Sequence, residues 1–163
     1  MTKARVLVVL PTLGERLTFL DEALASIQAQ GRIADCVVVA PNKQEVKDLA
    51  KQYGATWLED PATGIAAAVN VGLTGRVNQE FYAWLGDDDL FRPGGLELLA
   101  SLLDAHPEAV LAFGACDYML DDGQVVAISK AGKLARFLLP WGPDLIPHPG
   151  TMIRFNDLEE IGG

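Results

Sequence analysis

Residues Phe81 to Leu99, FYAWLGDDDLFRPGGLELL, run an apolar, aromatic-rich segment into three consecutive aspartates and then, after Pro-Gly-Gly, into a second apolar segment. The first segment, Glu80 to Leu85, reads as a short strand buried in a sheet. The second, Pro93 to Ala105, reads as a helix with Pro near its first turn and His106-Pro107 beyond its end. Asp87, Asp88 and Asp89 therefore stand where a strand gives way to a helix.

The same unit recurs upstream. RVLVVLP (Arg5 to Pro11) is a β-branched run suited to a strand covered on both faces, and Leu17, Leu20, Leu24 and Ile27 follow at helical spacing with Gly31 as a stop. CVVVAP (Cys36 to Pro41) is a second strand, and Val46, Leu49, Ala50 and Tyr53 mark a second helix ended by Gly54. ATWLED (Ala55 to Asp60) is a third strand, and GIAAAVNVGL (Gly64 to Leu73) an Ala-rich helix. Four strand-then-helix units predict an α/β fold with a mostly parallel central sheet flanked by helices. In such sheets ligands bind outside the carboxyl ends of the strands, which is where the aspartates fall.

Beyond Ala109 the pattern changes. Ala109 to Leu120, the turn Asp121-Asp122-Gly123 and Gln124 to Ser129 predict a β-hairpin, since Asp-Gly supplies the positive φ of a tight turn. A short helix is expected around Lys133 to Leu139, and a strand over Thr151 to Phe155. No repeat or linker interrupts the chain, so residues 1–163 are expected to form a single domain.

Composition bounds the partners. Half of the 163 residues are apolar and the formal net charge is −9, which suits one core and opposes a polyanion, so nucleic acid is not an expected partner. A small anionic substrate stays compatible if a divalent cation joins it to carboxylates. The two cysteines, Cys36 and Cys116, each lie in an apolar run and lack metal-site spacing, as expected of thiols in a reducing compartment. The opening apolar run is too short to span a membrane. A cytoplasmic chain is expected, with peripheral membrane attachment left open.

Three adjacent carboxylates repel one another, and a divalent cation held between two of them relieves that repulsion. A solvated acidic turn that assists the next helix's N-terminus is the plainer alternative. Mg²⁺ or Mn²⁺ bound in the first way completes its shell with water and substrate phosphates.

The order of these pieces resembles the family-2 glycosyltransferases of the GT-A type, whose fourth strand ends in an Asp-x-Asp-Asp element ahead of a Pro and a helix. The resemblance runs from Arg5 to Gly163 and rests on several motifs in sequence. VLPTLGER is similar to the family's first strand end, which implies that Pro11, Thr12 and Glu15 lie beside the donor nucleoside. TGIAAAVNVGL resembles a Gly-x-x-x-Ala-x-Asn-x-Gly segment, placing Gly64, Ala68, Asn70 and Gly72 beneath the donor; close helix packing accounts equally well for the small residues. HPGTMIRFNDLEEIGG is similar to a His-x-x-x-Met/Phe-x-Arg segment, which implies that His148 and Arg154 line the cleft, although His148 also suits an ordinary loop. By this likeness about 1–106 form the nucleotide-sugar-binding half, and 107–163 begin an acceptor-side half that is truncated.

Departures from the family pattern are informative. The second strand ends Val39-Ala40-Pro41-Asn42 where the family has an Asp pair, leaving Asn42 at the nucleoside position and the nucleotide unspecified. Counting back from Pro93 and Leu96, the family's first acid falls on Gly86, so Asp88 is the expected principal metal ligand, with Asp87 next and Asp89 beside them. The family's catalytic base lies beyond Ile161-Gly162-Gly163; Asp117 and Asp157 are the weak candidates within this chain.

The resemblance thus implies a metal-dependent, inverting transfer of sugar from a nucleotide-diphospho-sugar to an acceptor that is a sugar, a lipid-linked sugar or a protein. A non-catalytic nucleotide-sugar-binding module is an alternative. A sugar-1-phosphate nucleotidyltransferase fits less well, because PTLGER has only Gly14 where that class has a Gly-rich loop.

Overall fold

A computed structural model describes residues 4–120, 123–129, 141 and 148–160, and the structural statements below concern these. The helix expected over Lys133 to Leu139 and the turn residues Asp121 and Asp122 lie outside the described residues.

The chain runs β1 (Val6–Pro11), α1 (Leu17–Gln28), β2 (Ala34–Ala40), α2 (Gln44–Gln52), β3 (Thr56–Glu59), α3 (Ile65–Leu73), β4 (Phe81–Trp84), α4 (Gly95–Ala105), β5 (Leu111–Phe113), β6 (Cys116–Met119), β7 (Val125–Ser129), β8 (Thr151–Arg154) and α5 (Phe155–Glu160). Six strands form one sheet in the order β3-β2-β1-β4-β8-β5. The first four are parallel, and β8 runs antiparallel to both β4 and β5. The expected mostly parallel α/β fold is what the structure has.

β1 is the centre of the sheet, and Val6 through Leu10 are fully buried. Val6, Val8 and Leu10 face one layer with Leu20 and Leu24 of α1, Val46 of α2 and Leu96 and Leu103 of α4, while Leu7 and Val9 face Ala68 of α3 and Phe155 of α5. Burial on both faces explains a continuous β-branched run where a one-sided strand would alternate. α3 lies against β1 through Gly72, where a Cβ would stand 2.2 Å from Val9 Cγ1. That contact accounts for a small-residue helix by packing alone.

The segment read as one long hairpin strand is two strands. β5 joins the main sheet beside β8, and β6 pairs with β7 in a separate two-stranded sheet. The break falls at Gly114, whose N–H donates to Gly150 O at 2.8 Å. A run of apolar residues continuous in sequence therefore changes sheets where two glycine backbones meet. α4 also begins later than expected, at Gly95, because Pro93 and the left-handed Gly94 (φ 73°) form the turn before it.

The order β3-β2-β1-β4 puts a switch point between β1 and β4: the chain leaves β1 toward β2 on one side, and β4 lies on the other. The loops after β1 and β4 consequently face each other across a crevice at the carboxyl end of the sheet.

Candidate functional site

β1 delivers Thr12 to this crevice and β4 delivers the aspartates. Thr12 is buried and its Oγ1 donates to Asp87 Oδ2 at 2.5 Å, while Gly14 N–H donates to Thr12 Oγ1 at 2.9 Å. Asp87 is 8% exposed. Its other oxygen accepts from Arg16 Nη2 at 2.6 Å, and Arg16 Nη1 donates to Asp88 Oδ2 at 2.9 Å. One guanidinium thus spans two neighbouring carboxylates, which push its already high pKa further up, Asp88 most strongly.

Asp88 and Asp89 meet over Gly86. A Cβ at Gly86 would stand 3.0 Å from Asp88 Oδ1 and 2.9 Å from Asp89 Oδ2, so both carboxylates open onto the space that glycine leaves. Asp89 N–H donates to Gly86 O at 3.2 Å, closing the turn that brings them together. Burial, then the charges of Asp88 and Asp87, raise the Asp89 carboxyl, against the Gly86 backbone N–H acting on the carboxylate itself. A side chain at position 86 would force the Asp88 and Asp89 carboxylates to shift.

The opposing loops carry cations. Lys43 Nζ donates to Leu13 O at 2.8 Å and Gly14 O at 3.3 Å, joining the loops after β1 and β2. Lys47 Nζ donates to Asn42 Oδ1 at 2.7 Å and lies 4.1 Å from the Trp57 ring centroid. Pro11 ends β1, Asn42 lies in the loop after β2, and Glu15 is exposed on the same loop as Thr12. Gly64, with φ 110°, is the residue before α3 on this side of the sheet.

His148 reaches the same end: its ring lies 5.2 Å from that of Trp84, the last residue of β4. Asp117 is the second residue of β6 and is bound by Arg92, Nε to Oδ2 at 2.7 Å, with a second contact through Nη2. The Arg92 pairing joins β6 to the segment just after the aspartates, and the adjacent Cys116 thiol is raised by burial and then by the charges of Asp89 and Asp117.

Three expected site residues lie elsewhere. Arg154 is paired with Phe81 at the amino end of β4, about 10 Å along the strand from Trp84, and the aspartates lie beyond that far end. There it donates to Ala109 O at 2.8 Å, Leu103 O at 2.5 Å and His106 O at 3.3 Å, closing the end of α4. Asp157 lies in the first turn of α5, whose first residue, Phe155, donates its N–H to Glu80 O at 3.0 Å at that same end, away from the crevice. The antiparallel course of β8 is the reason: it carries the chain away from the site. Asn70 is exposed, in a groove with Arg76, Phe155 and Glu159 between α3 and α5.

Arg16 is the site residue that motif reading passed over. The signal was present: once β1 and β4 are neighbours, the loops after them oppose each other, and Arg16 is the cation of the Thr12-to-Arg16 loop facing Asp-Asp-Asp.

Comparison with known proteins matches residues 7–162 to a family model described as Glycosyl transferase family 2. Among solved structures, the mannosyltransferase PcManGT from Pyrobaculum calidifontis, in complex with GDP-Man and Mn²⁺, is similar with a TM-score of 0.68 at 19% identity, over 100% of this chain and 48% of that one. TarS 1-349 of S. aureus gives 0.68 at 18% identity, over 96% of this chain and 49% of that one. A CMP:2-keto-3-deoxy-manno-octonic acid synthetase complexed with CTP gives 0.59 at 14% identity, over 97% and 77%. No curated protein matches. The chain spans about half the length of the first two structures, and at these identities the likeness is one of fold.

Proposed function

Because this chain belongs to glycosyl transferase family 2, matched over residues 7–162, and has the GT-A fold, we propose that it carries the donor site of a metal-dependent, inverting glycosyltransferase. On this reading about 1–106 bind a nucleotide-diphospho-sugar and 107–163 begin the acceptor side.

The observation that carries the reading is the meeting of Asp88 Oδ1 and Asp89 Oδ2 over Gly86. Among the described residues no group of three or more His, Cys, Asp or Glu is arranged to hold a metal. Two carboxylates are nevertheless what Mg²⁺ or Mn²⁺ commonly takes from a protein when substrate phosphates and water complete the shell. The donor set fits such an ion only together with a diphosphate. Asp87, already bonded to Thr12 and Arg16, is better suited to fixing the turn than to ligation. The Mn²⁺ and GDP-Man in the mannosyltransferase structure support the same ligand class.

When bound, such a cation would offset the charge developing on the leaving nucleoside diphosphate. The chain's own residues do the rest. Asp88 and Asp89 anchor the diphosphate end through it, Thr12 and Arg16 hold the acidic turn, and Asn42 with Lys47 borders the nucleoside. On this reading Asp117, joined through Arg92 to the segment just after the aspartates, is the candidate base. Its pairing with Arg92 favours the second reading, a nucleotide-sugar-binding module without transfer.

Thermal unfolding with UDP-, GDP- and CDP-sugars and the free diphosphates, with and without Mn²⁺, tests the proposal. A ligand at a hundred times its Kd adds about 2.7 kcal/mol, which for a domain of this size shifts Tm by roughly 5–10 °C. No shift with any of them plus Mn²⁺ would sink both readings. Release of free nucleoside diphosphate from a stabilising nucleotide-sugar selects the transferase over the module.

A further inference from the structure

Arg16 holds two carboxylates that differ in how firmly they are otherwise fixed. Asp87 is buried and has Thr12 as a second partner, whereas the Asp88 side chain is 51% exposed and Arg16 is the hydrogen-bond partner of its Oδ2. The other Asp88 oxygen already faces Asp89 over Gly86. A cation bound there would share Asp88 with the guanidinium.

We propose that Arg16 is a displaceable counter-ion, which holds Asp88 in the metal-free chain and gives it up when a divalent cation binds beside Asp89. This rests on the cation reading above and adds to it a competitor built into the fold.

Release is compatible with the local structure. Arg16 is the N-cap residue of α1, its carbonyl accepting from Leu20 N–H at 3.0 Å, and a rotation of its side chain alone leaves that bond in place. Its guanidinium also lies 5.6 Å from the Phe19 ring centroid, a face on which it can rest after leaving Asp88. Charge favours the exchange: three aspartates with one arginine leave an excess of negative charge facing any anionic donor, and a monovalent group cannot offset it as a divalent ion does. The same loop is tied through Leu13 O and Gly14 O to Lys43 after β2, so its movement would be felt on the nucleoside side of the crevice.

The test is Mn²⁺ binding to the whole chain in the presence of UDP, GDP or CDP, read from the electron paramagnetic resonance signal of free Mn²⁺ against the same mixture without protein. Arg16→Met should bind Mn²⁺ roughly tenfold more tightly than wild type, the scale of removing a unit charge about 5 Å from a divalent ion in water. Arg16→Lys, which keeps the charge but cannot span two carboxylates, should fall between them. Equal or weaker binding by Arg16→Met, with wild-type binding intact, overturns the counter-ion role and leaves the donor site standing. Absence of Mn²⁺ binding from wild type and both variants, with UDP, GDP and CDP alike, overturns the cation reading and this inference together.

Discussion

The two ends of the sheet both gather arginines and carboxylates, and they use them differently. At the amino end Arg5 donates to Glu80 at 3.1 and 2.8 Å and to Asp104 at 2.9 and 2.8 Å, and Arg154 closes α4 through three carbonyls. Both guanidinium groups lie over the Phe81 ring, at 5.1 and 5.6 Å from its centroid. Two cations meet two carboxylates, and every named contact joins elements already adjacent in the core. At the carboxyl end Arg16 bonds two of three adjacent aspartates, on loops that face each other across a crevice. A balanced cluster that pins element ends is accounted for by folding; an unbalanced one at a switch point is where a ligand of opposite charge completes the structure.

Substitutions at the two ends should therefore separate ligand binding from stability. The largest effect is expected for Asp88→Asn. It removes the carboxylate charge while leaving the turn intact, so the Mn²⁺-dependent part of the nucleoside-diphosphate shift, about 5–10 °C in wild type, should vanish with the unliganded Tm nearly unchanged. A retained metal-dependent shift would remove Asp88 from the cation site. Arg154→Met makes the opposite cut. It strips the carbonyls of Leu103, His106 and Ala109 of a charged donor, a loss of about 2 kcal/mol, or roughly 4–8 °C in Tm. Mn²⁺ binding by the refolded variant should match wild type; a parallel loss of binding would show the two ends to be coupled.

How far this contrast could be read beforehand depends on the kind of contact. The parallel sheet was legible because Val6 to Leu10 and Val37 to Ala40 are buried on both faces and say so in their composition. The aspartates were legible because a strand end marks their place. Arg154 and Asp157 were misplaced because their position depends on β8 entering antiparallel between β4 and β5, a pairing that no local pattern encodes. The division of β5 from β6 was hidden for a similar reason, since Gly114 is a break only because Gly150 crosses it. Arg16 needed sheet order and charge together: as one arginine before a helix it is unremarkable, and opposite three acids it is half of a site.

A smaller effect asks to which end Asp87 belongs in kind. Thr12→Val is nearly isosteric and leaves Asp87 Oδ2 and the Gly14 N–H without the hydroxyl that joins them. A cost of about 1 kcal/mol is expected, lowering Tm by roughly 2–4 °C, with Mn²⁺ affinity much less altered than by Asp88→Asn. Loss of Mn²⁺ binding equal to that of Asp88→Asn would make Asp87 a ligand and the contrast within the aspartates would fail.

The smallest effect is a pH dependence at the amino end. Hydrogen bonds from Arg5 hold the Glu80 and Asp104 carboxyls below the usual carboxylate range. A carboxyl whose folded pKa lies below its unfolded value binds fewer protons in the folded chain than in the unfolded one. Its contribution is present above the unfolded pKa, about 4, and is lost as pH falls through the lowered folded value. Both side chains are half exposed or more, so the contribution is modest and screened by salt. Urea midpoints measured at pH 7, 5, 4 and 3 should fall more steeply for wild type than for Arg5→Met below pH 5, and 1 M NaCl should narrow the difference. Parallel profiles in low salt would show that the Arg5 pairs contribute nothing to stability, leaving Arg154 and the Phe81 ring to hold that end of the sheet.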